Sequence, residues 1–267
     1  MPFLRFARLQ TIFALGGEKV FVNWFDDLVL PVAKGDHGLT GNYYLGLHEF
    51  SDMAFAIHFL RRGDFFVDVG ANQGSYSLIA AGVAGANVLA VEPVPTTYSL
   101  LTECIRINGL ADKITPLQVA LNSAANAGND MWFSTDKGTT NSFVDGEYAG
   151  AAVKVRVSTL DNECAGLNPV LIKIDVEGFE EDVLSGAPKI LSMESLQAVI
   201  IEGQTEAVNM VFRQAGFVDR EYVPDRRELL PHSKRSSNRI WVRRSKLSEV
   251  QERLKTAPQR EIYGCRF

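Results

Sequence analysis

From residue 65 onward the chain alternates short apolar runs with helix-patterned stretches, and this alternation constrains its fold more than any other feature. "FFVDV", "NVLAVEP", "KITPLQVAL", "PVLIKIDVEG" and "LQAVIIEG" each read as a short buried strand closed by a turn residue. "SYSLIAAGVAG", a Thr-capped "TTYSLLTECIRING", "EEDVLSGAPKIL" and "TEAVNMVFRQAG" supply the intervening helices. The alternation predicts βαβ units, and so an α/β fold with a mostly parallel sheet and helices on both faces. "DMWFSTD" and "VKVRVSTL" fall between the third and fourth parallel strands and are expected to pair as an inserted β-hairpin. "NRIWVRR" is expected to close the sheet as a late antiparallel strand.

Three regions follow. Residues 1–62 form an N-terminal helical extension or cap, in which Phe50, Met53, Ala54, Ile57 and Leu60 mark one helix face and Gly63 stops the helix. Residues 63–243 form the α/β domain. Residues 244–267 form a C-terminal amphipathic helix, with Leu247, Val250 and Leu254 at helical spacing, and a tail. A net charge of -5 gives no electrostatic footprint for nucleic acid. No apolar run is long enough to cross a membrane. "MPFLRFARLQTIFALGG" reads as a helix packed on the domain, with a membrane-surface helix as the alternative. Cys104, Cys164 and Cys265 are far apart and outside C-x-x-C spacing, which argues against a disulfide framework or a zinc site and for a reducing, cytoplasmic setting.

Ligands of open α/β sheets bind outside the carboxyl ends of the strands. This chain places Asp68, Glu92, Asp175 with Glu177, and Glu202 at those ends. Such acids repel one another unless a ligand or a cation lies among them. The first turn, Gly70-Ala71-Asn72-Gln73-Gly74, lacks the middle Gly of a dinucleotide fingerprint. Asp68 ahead of it suits a cationic group better than a pyrophosphate. Glu92 lies 22 residues after Gly70, where an acid accepts ribose hydroxyls. A ribose, a positive charge and no phosphate together describe S-adenosyl-L-methionine rather than NAD.

"VDVGANQGSYS", "VEPVPTTYSLL", "VAL", "STLD" and "LIKIDVEGFEEDVLSGA" resemble the FkbM family of S-adenosylmethionine-dependent methyltransferases over about residues 46 to 242. The resemblance implies a class I methyltransferase (Rossmann-like) fold with a seven-stranded sheet, and O-methylation of a sugar, glycan or secondary-metabolite hydroxyl. It assigns Asp68, Gly70, Ala71, Asn72, Gly74 and Tyr76 to the methionine end of the cofactor site. Glu92 and Pro93 fall to the ribose, Ala120 and Leu121 to the adenine edge, and Glu49 to a position closing over the cofactor or merely starting a helix. Asp175 would face the methyl group and the acceptor.

O-methylation removes a hydroxyl proton, so Asp175 and Glu177 are the candidate bases, tuned by Lys173. A structural Lys173–Glu177 ion pair is the competing reading. Asn141, Ser142 and His232 are candidate acceptor contacts, and Trp132, Phe133, Phe143 and Tyr148 either stack on the acceptor or pack internally. His48 and His58 are further base candidates, His58 being expected to be packed. The motifs require no metal, although the acid cluster leaves a divalent ion open. The expected partner is a small-molecule or glycan acceptor, and a homo-oligomer is compatible with the sequence. N-methylation on the same fold and a catalytically inactive binding protein in a biosynthetic complex are the rival readings. A dehydrogenase is disfavoured by the missing Gly.

Overall fold

The computed structural model describes residues 2–35, 38–135, 150–203, 205–232 and 238–267. Its main sheet contains β1 (Phe65–Val69), β2 (Asn87–Val91), β3 (Ile114–Leu117), β4 (Leu171–Ile174), β5 (Ala198–Glu202), β6 (Phe217–Val223), β7 (Glu228–Pro231) and β8 (Asn238–Arg243). The spatial order is β7-β6-β8-β5-β4-β1-β2-β3. Strands β1 to β5 are parallel. β8 runs antiparallel to β5, and β6 antiparallel to β8. The expected seven strands thus gain an eighth: after a turn with Arg227 at φ 54°, β7 folds back on β6 at the sheet edge.

Alternation along the strands divides the core in two. Val67, Val69, Ile172, Ile174, Val199, Ile201 and Trp241 face one side and meet Val183, Leu184, Ile190, Val208 and Phe212 from the helices after β4 and β5. Phe66, Leu171, Ala198 and Val242 face the other side. There they are covered by Met53, Phe55 and Phe59 of helix Phe50–Phe59, by Leu9 and Phe13 of helix Pro2–Ala14, and by Val250 and Leu254 of helix Leu247–Lys255. Burying a side chain such as Phe66 or Leu171 contributes roughly 1.5–3 kcal/mol. The N-terminal extension shares this core with the sheet. It also contains a hairpin, Lys19–Asn23 with Val29–Ala33, that its apolar pattern did not announce.

Several element ends differ from expectation. Helix Phe50–Phe59 stops before Gly63, with Leu60 already extended. Helix Pro95–Ile107 starts on Pro95 rather than on a Thr cap, because Pro fits the first turn where an amide proton would lack a partner. The stretch after β1 is α-helical only over Ser75–Leu78 and continues as a π-helical turn, Ile79–Val83. "KITPLQVAL" splits in two. β3 ends where Glu92 N donates to Leu117 O, and Ala120–Leu121 leaves to pair with Val157 and Ser158. The expected inserted hairpin is present, Asp130–Ser134 against Ala152–Ser158, and it joins Ala120–Leu121 in a separate three-stranded sheet. Among the described residues no helix is long and apolar enough to cross a membrane.

The strand order reverses between β1 and β4, so the loops leaving these two strands bound a crevice. They touch directly. Gly70 has φ 74°, and a Cβ built there would lie 1.8 Å from the backbone oxygen of Asp175. Gly70→Ala is expected to destabilise the fold by more than about 2 kcal/mol, from left-handed strain plus the backbone clash. The urea midpoint should drop at an unchanged slope; a wild-type midpoint would show that the two loops part freely.

Candidate active site

The turn after β1 is fixed from β2. Gly70 N and Ala71 N both donate to Val91 O, at 3.0 and 2.9 Å. Asn72 adopts a left-handed φ of 51°, which Asn tolerates, and its N–H donates to Glu92 Oε2 at 3.0 Å. Val94 N donates to Glu92 Oε1 at 3.0 Å, so one carboxylate ties the turn to the helix that begins at Pro95. Gly74 sits where a Cβ would come within 2.6 Å of Leu101 Cδ1, pressing the turn against that helix. Glu92 is buried, and burial pushes its pKa up to about 7 against the pull of the two amide donors.

Around this turn lies a cavity with four walls. Val69, Gly70 and Asn72 form one, and Glu92, Pro93 and Thr97 the next. Ala120, Leu121 and Asn122, with Met131 and Phe133 of the inserted hairpin, form the third. Asp175, Val176, Glu177 and Phe179 form the fourth. The lining carries three carboxylates and, among the described residues, no Lys, Arg or His.

Beside Asp175 the polar side chains form one connected network. In register, Asp68 lies opposite Lys173, and Glu202 opposite Asn238. These positions continue the Phe66, Leu171, Ala198 and Val242 face into a polar layer near the carboxyl ends of the strands. Lys173 Nζ donates to Asp175 Oδ2 at 2.8 Å and stands 4.8 Å from the Tyr76 ring centroid. Tyr76 Oη donates to Glu49 Oε2 at 2.7 Å. Asn238 Nδ2 donates to Glu49 Oε1 and to Asp52 Oδ2, each at 3.1 Å. Ser77 Oγ donates to Asp68 Oδ2 at 2.7 Å.

The charges follow from this geometry. Burial opposes the Lys173 charge, but Asp175, Asp68 and Glu49 outweigh it and hold the ammonium on. Asp175 is also desolvated, yet Lys173 keeps its carboxyl below the usual value. Glu202 is pushed up to about 8 by its hydrogen bond with Asp175, by burial and by the Asp175 charge. Burial raises Asp68, and burial then Asp175 raise Glu177. Carboxylate oxygens of Asp175, Glu177 and Glu202 lie within 4.8 Å of one another, a spacing a divalent cation can span. The Lys173 ammonium pairs with Asp175 within that cluster and offsets part of its charge.

The structure sorts the expected site residues into groups. Gly70, Asn72, Glu92, Pro93, Ala120, Leu121, Asp175 and Glu177 line the cavity. Asp68, Tyr76, Lys173 and Glu49 stand in the adjoining network, while Ala71 and Gly74 shape the turn. Glu49 occupies the N-cap position of helix Phe50–Phe59, but its carboxylate accepts from Tyr76 and Asn238 rather than capping the helix. Lys173 makes its ion pair with Asp175 and not with Glu177. His58 is buried against Tyr222 and held neutral, its pKa lowered by burial to about 4. His232 lies beyond β7 at the sheet edge, its Nδ1 3.8 Å from Asp219 Oδ1. Asn141, Ser142, Phe143 and Tyr148 lie outside the described residues.

Sequence reasoning missed Asp52, Asn238, Thr97, Met131 and Phe179. Met131 and Phe133 alternate on one hairpin face, a signal that pointed to a shared surface without saying which cavity it closes. Asn238 and Asp52 carry no local signal, since they meet only through tertiary packing.

Asp52 is pushed up to about 6, by burial first and then by Glu49. A carboxyl with a raised folded pKa contributes stability that is full below its unfolded value, 3.8 here, and is lost as pH rises through the folded one. The loss between about pH 4 and 6 is on the order of 2–3 kcal/mol. Asp52→Asn is therefore expected to flatten the decline in melting temperature over that window. Parallel wild-type slopes would show that Asp52 keeps no extra proton.

The family model described as "Methyltransferase FkbM domain" matches residues 68–232. The chain is 29% identical over 185 residues to methyltransferase sdnD of Sordaria araneosa, covering 57% of this chain and 71% of that protein. It is 30% identical over 141 residues to hexuronic acid methyltransferase AglP of Haloferax volcanii, covering 52% of this chain and 55% of that protein. The crystal structure of methyltransferase FkbM from Methylobacillus flagellatus KT superposes with a TM-score of 0.47 at 16% identity, over 76% of this chain and 52% of that one. With the family match spanning more than half of its length, the chain belongs to the FkbM methyltransferase family.

Proposed function

We propose that this protein is an S-adenosyl-L-methionine-dependent O-methyltransferase acting on a sugar, glycan or secondary-metabolite hydroxyl. The carrying observation is the cavity lining: three carboxylates and no Lys, Arg or His among the described residues. That chemistry favours a cationic ligand without phosphates. Glu92 keeps lone pairs free beside its two amide donors, so it can accept a ribose diol. Ala120, Leu121, Met131 and Phe133 offer an apolar slot for the adenine. The residues therefore fit S-adenosyl-L-methionine, which when bound supplies an electrophilic methyl group. The hexuronic acid in AglP's name supports a sugar acceptor.

In this reading Asp175, held ionised by Lys173, aligns the acceptor hydroxyl. Glu177 is open to solvent on one side, and partial desolvation followed by the Asp175 and Glu180 charges raises its pKa. It takes the hydroxyl proton as the oxygen attacks. The reading requires no metal, since Lys173 already pairs with Asp175 in the cluster. The acceptor is a small molecule or glycan and not a nucleic acid. Three free cysteines, two of them buried, are in keeping with a reducing, cytoplasmic compartment.

Calorimetry with S-adenosylhomocysteine tests the donor site. Glu92→Ala is expected to weaken binding roughly 10- to 100-fold, the worth of hydrogen bonds to a charged group. Wild-type affinity in the variant would remove Glu92 from the ribose. Glu177→Gln is expected to lower kcat by about a hundredfold or more with S-adenosylhomocysteine affinity unchanged. Full turnover in Glu177→Gln would exclude it as the base.

A further inference from the structure

Ten large apolar side chains are well exposed among the described residues, and seven of them lie in the N-terminal extension or the C-terminal turn that packs on it. Phe3 and Leu15 are the most open, at 77% and 83%, followed by Leu4, Phe21, Leu45, Phe6 and Tyr263. Trp132, Met210 and Leu230 are the other three.

These segments meet in space. Arg5 donates to Tyr44 O and stacks 3.8 Å over the Tyr263 ring, Phe6 packs edge-on against Tyr44, and Tyr263 Oη donates to Asn23 O. A groove runs between helix Pro2–Ala14 and strand Lys19–Asn23, lined by Arg5, Arg8, Ile12, Val20, Phe21 and Tyr43 among others. Leu15 N still donates to Thr11 O, so the helical path reaches Leu15. At 3.6 residues per turn, Leu4, Arg8 and Leu15 fall within about 40° of one another on one side of the helix. Clustered exposed apolar side chains of this kind mark an interaction surface.

Charge selects the partner. Helix Pro2–Ala14 carries Arg5 and Arg8 and no acid, in a chain whose net charge is -5. The residues lining the groove include no carboxylate. Arg8 has no ion-pair or hydrogen-bond partner among the described residues. A second copy would set cationic patch against cationic patch, so the surface is not self-complementary. Apolar side chains flanked by arginines and a tyrosine suit an anionic lipid surface.

We propose that this corner docks on an anionic lipid bilayer, with Phe3, Leu4 and Leu15 entering the headgroup region and Arg8 pairing with the anionic headgroups. The corner adjoins the candidate site along the chain. Leu45 precedes Glu49 by four residues, a span of at most about 14 Å. On the methyltransferase reading above, on which this clause rests, docking holds the site beside the bilayer and favours a lipid-linked acceptor.

Flotation of the full chain with vesicles tests the docking without requiring turnover. Wild type is expected to rise with phosphatidylcholine–phosphatidylglycerol vesicles, far less with phosphatidylcholine alone, and less at high salt. Phe3→Ser with Leu4→Ser should cut the partition constant about tenfold or more. Arg8→Glu should lower it on anionic vesicles only. Unchanged S-adenosylhomocysteine affinity in these variants would confirm an intact fold, and absence of S-adenosylhomocysteine binding by wild type would count against the methyltransferase reading alone. The docking proposal is overturned if wild type stays with neither vesicle, or if the serine variant floats as wild type does. It is equally overturned if sedimentation shows a dimer that the serine variant dissolves, which would make a second copy the occupant.

Discussion

One buried ammonium, that of Lys173, governs the polar layer of the sheet. It meets Asp175 at 2.8 Å and lies in register with Asp68, and the Tyr76 ring and Glu49 complete its surroundings. Taking a charge out of water costs several kcal/mol unless a partner and further hydrogen bonds compensate. Each acid here is compensated differently. Asp175 has the ammonium, Asp68 has Ser77, Glu49 has Tyr76 and Asn238, and Glu202 is pushed up to about 8 by Asp175. The result is an array whose members titrate apart.

The N-terminal extension is part of that arrangement rather than an accessory to it. Glu49 and Asp52 come from helix Phe50–Phe59, yet their donor, Asn238, stands on the antiparallel strand β8. The same helix supplies Phe55 and Phe59 to the core on that face. Apolar burial therefore brings the extension down on the sheet, and the Asn238 amide sets where its acids rest. The opposite side of the site is made by the insertion, whose Met131 and Phe133 wall the cavity at Ala120 and Leu121.

Much of the fold was legible because the parallel strands are buried on both faces and read as continuous apolar runs. The alternation announced βαβ units, and acids after four of the five runs announced the carboxylates that gather at the strand ends. The edge was less legible. β7 depends on a turn that reverses the chain onto β6, and its apolar content is only two leucines. The inserted hairpin was legible as two strands, but which cavity it would close was not. The Thr cap failed because Pro95 and the Glu92 carboxylate together start that helix.

By itself the sequence determined the strand–turn–helix series, the acids at four of the five strand ends and the Asn in place of a middle Gly, since these are local choices of residue and spacing. Only the tertiary structure decided that Asp175 pushes Glu202 up, that Asp175 holds the ammonium, and that Gly70 must be glycine to pass Asp175 O. It also decided that Asp68 stands beside the cavity rather than in its wall. Those outcomes depend on distances between residues far apart in the chain. Charge and burial act through space, so no reading along the chain could supply them.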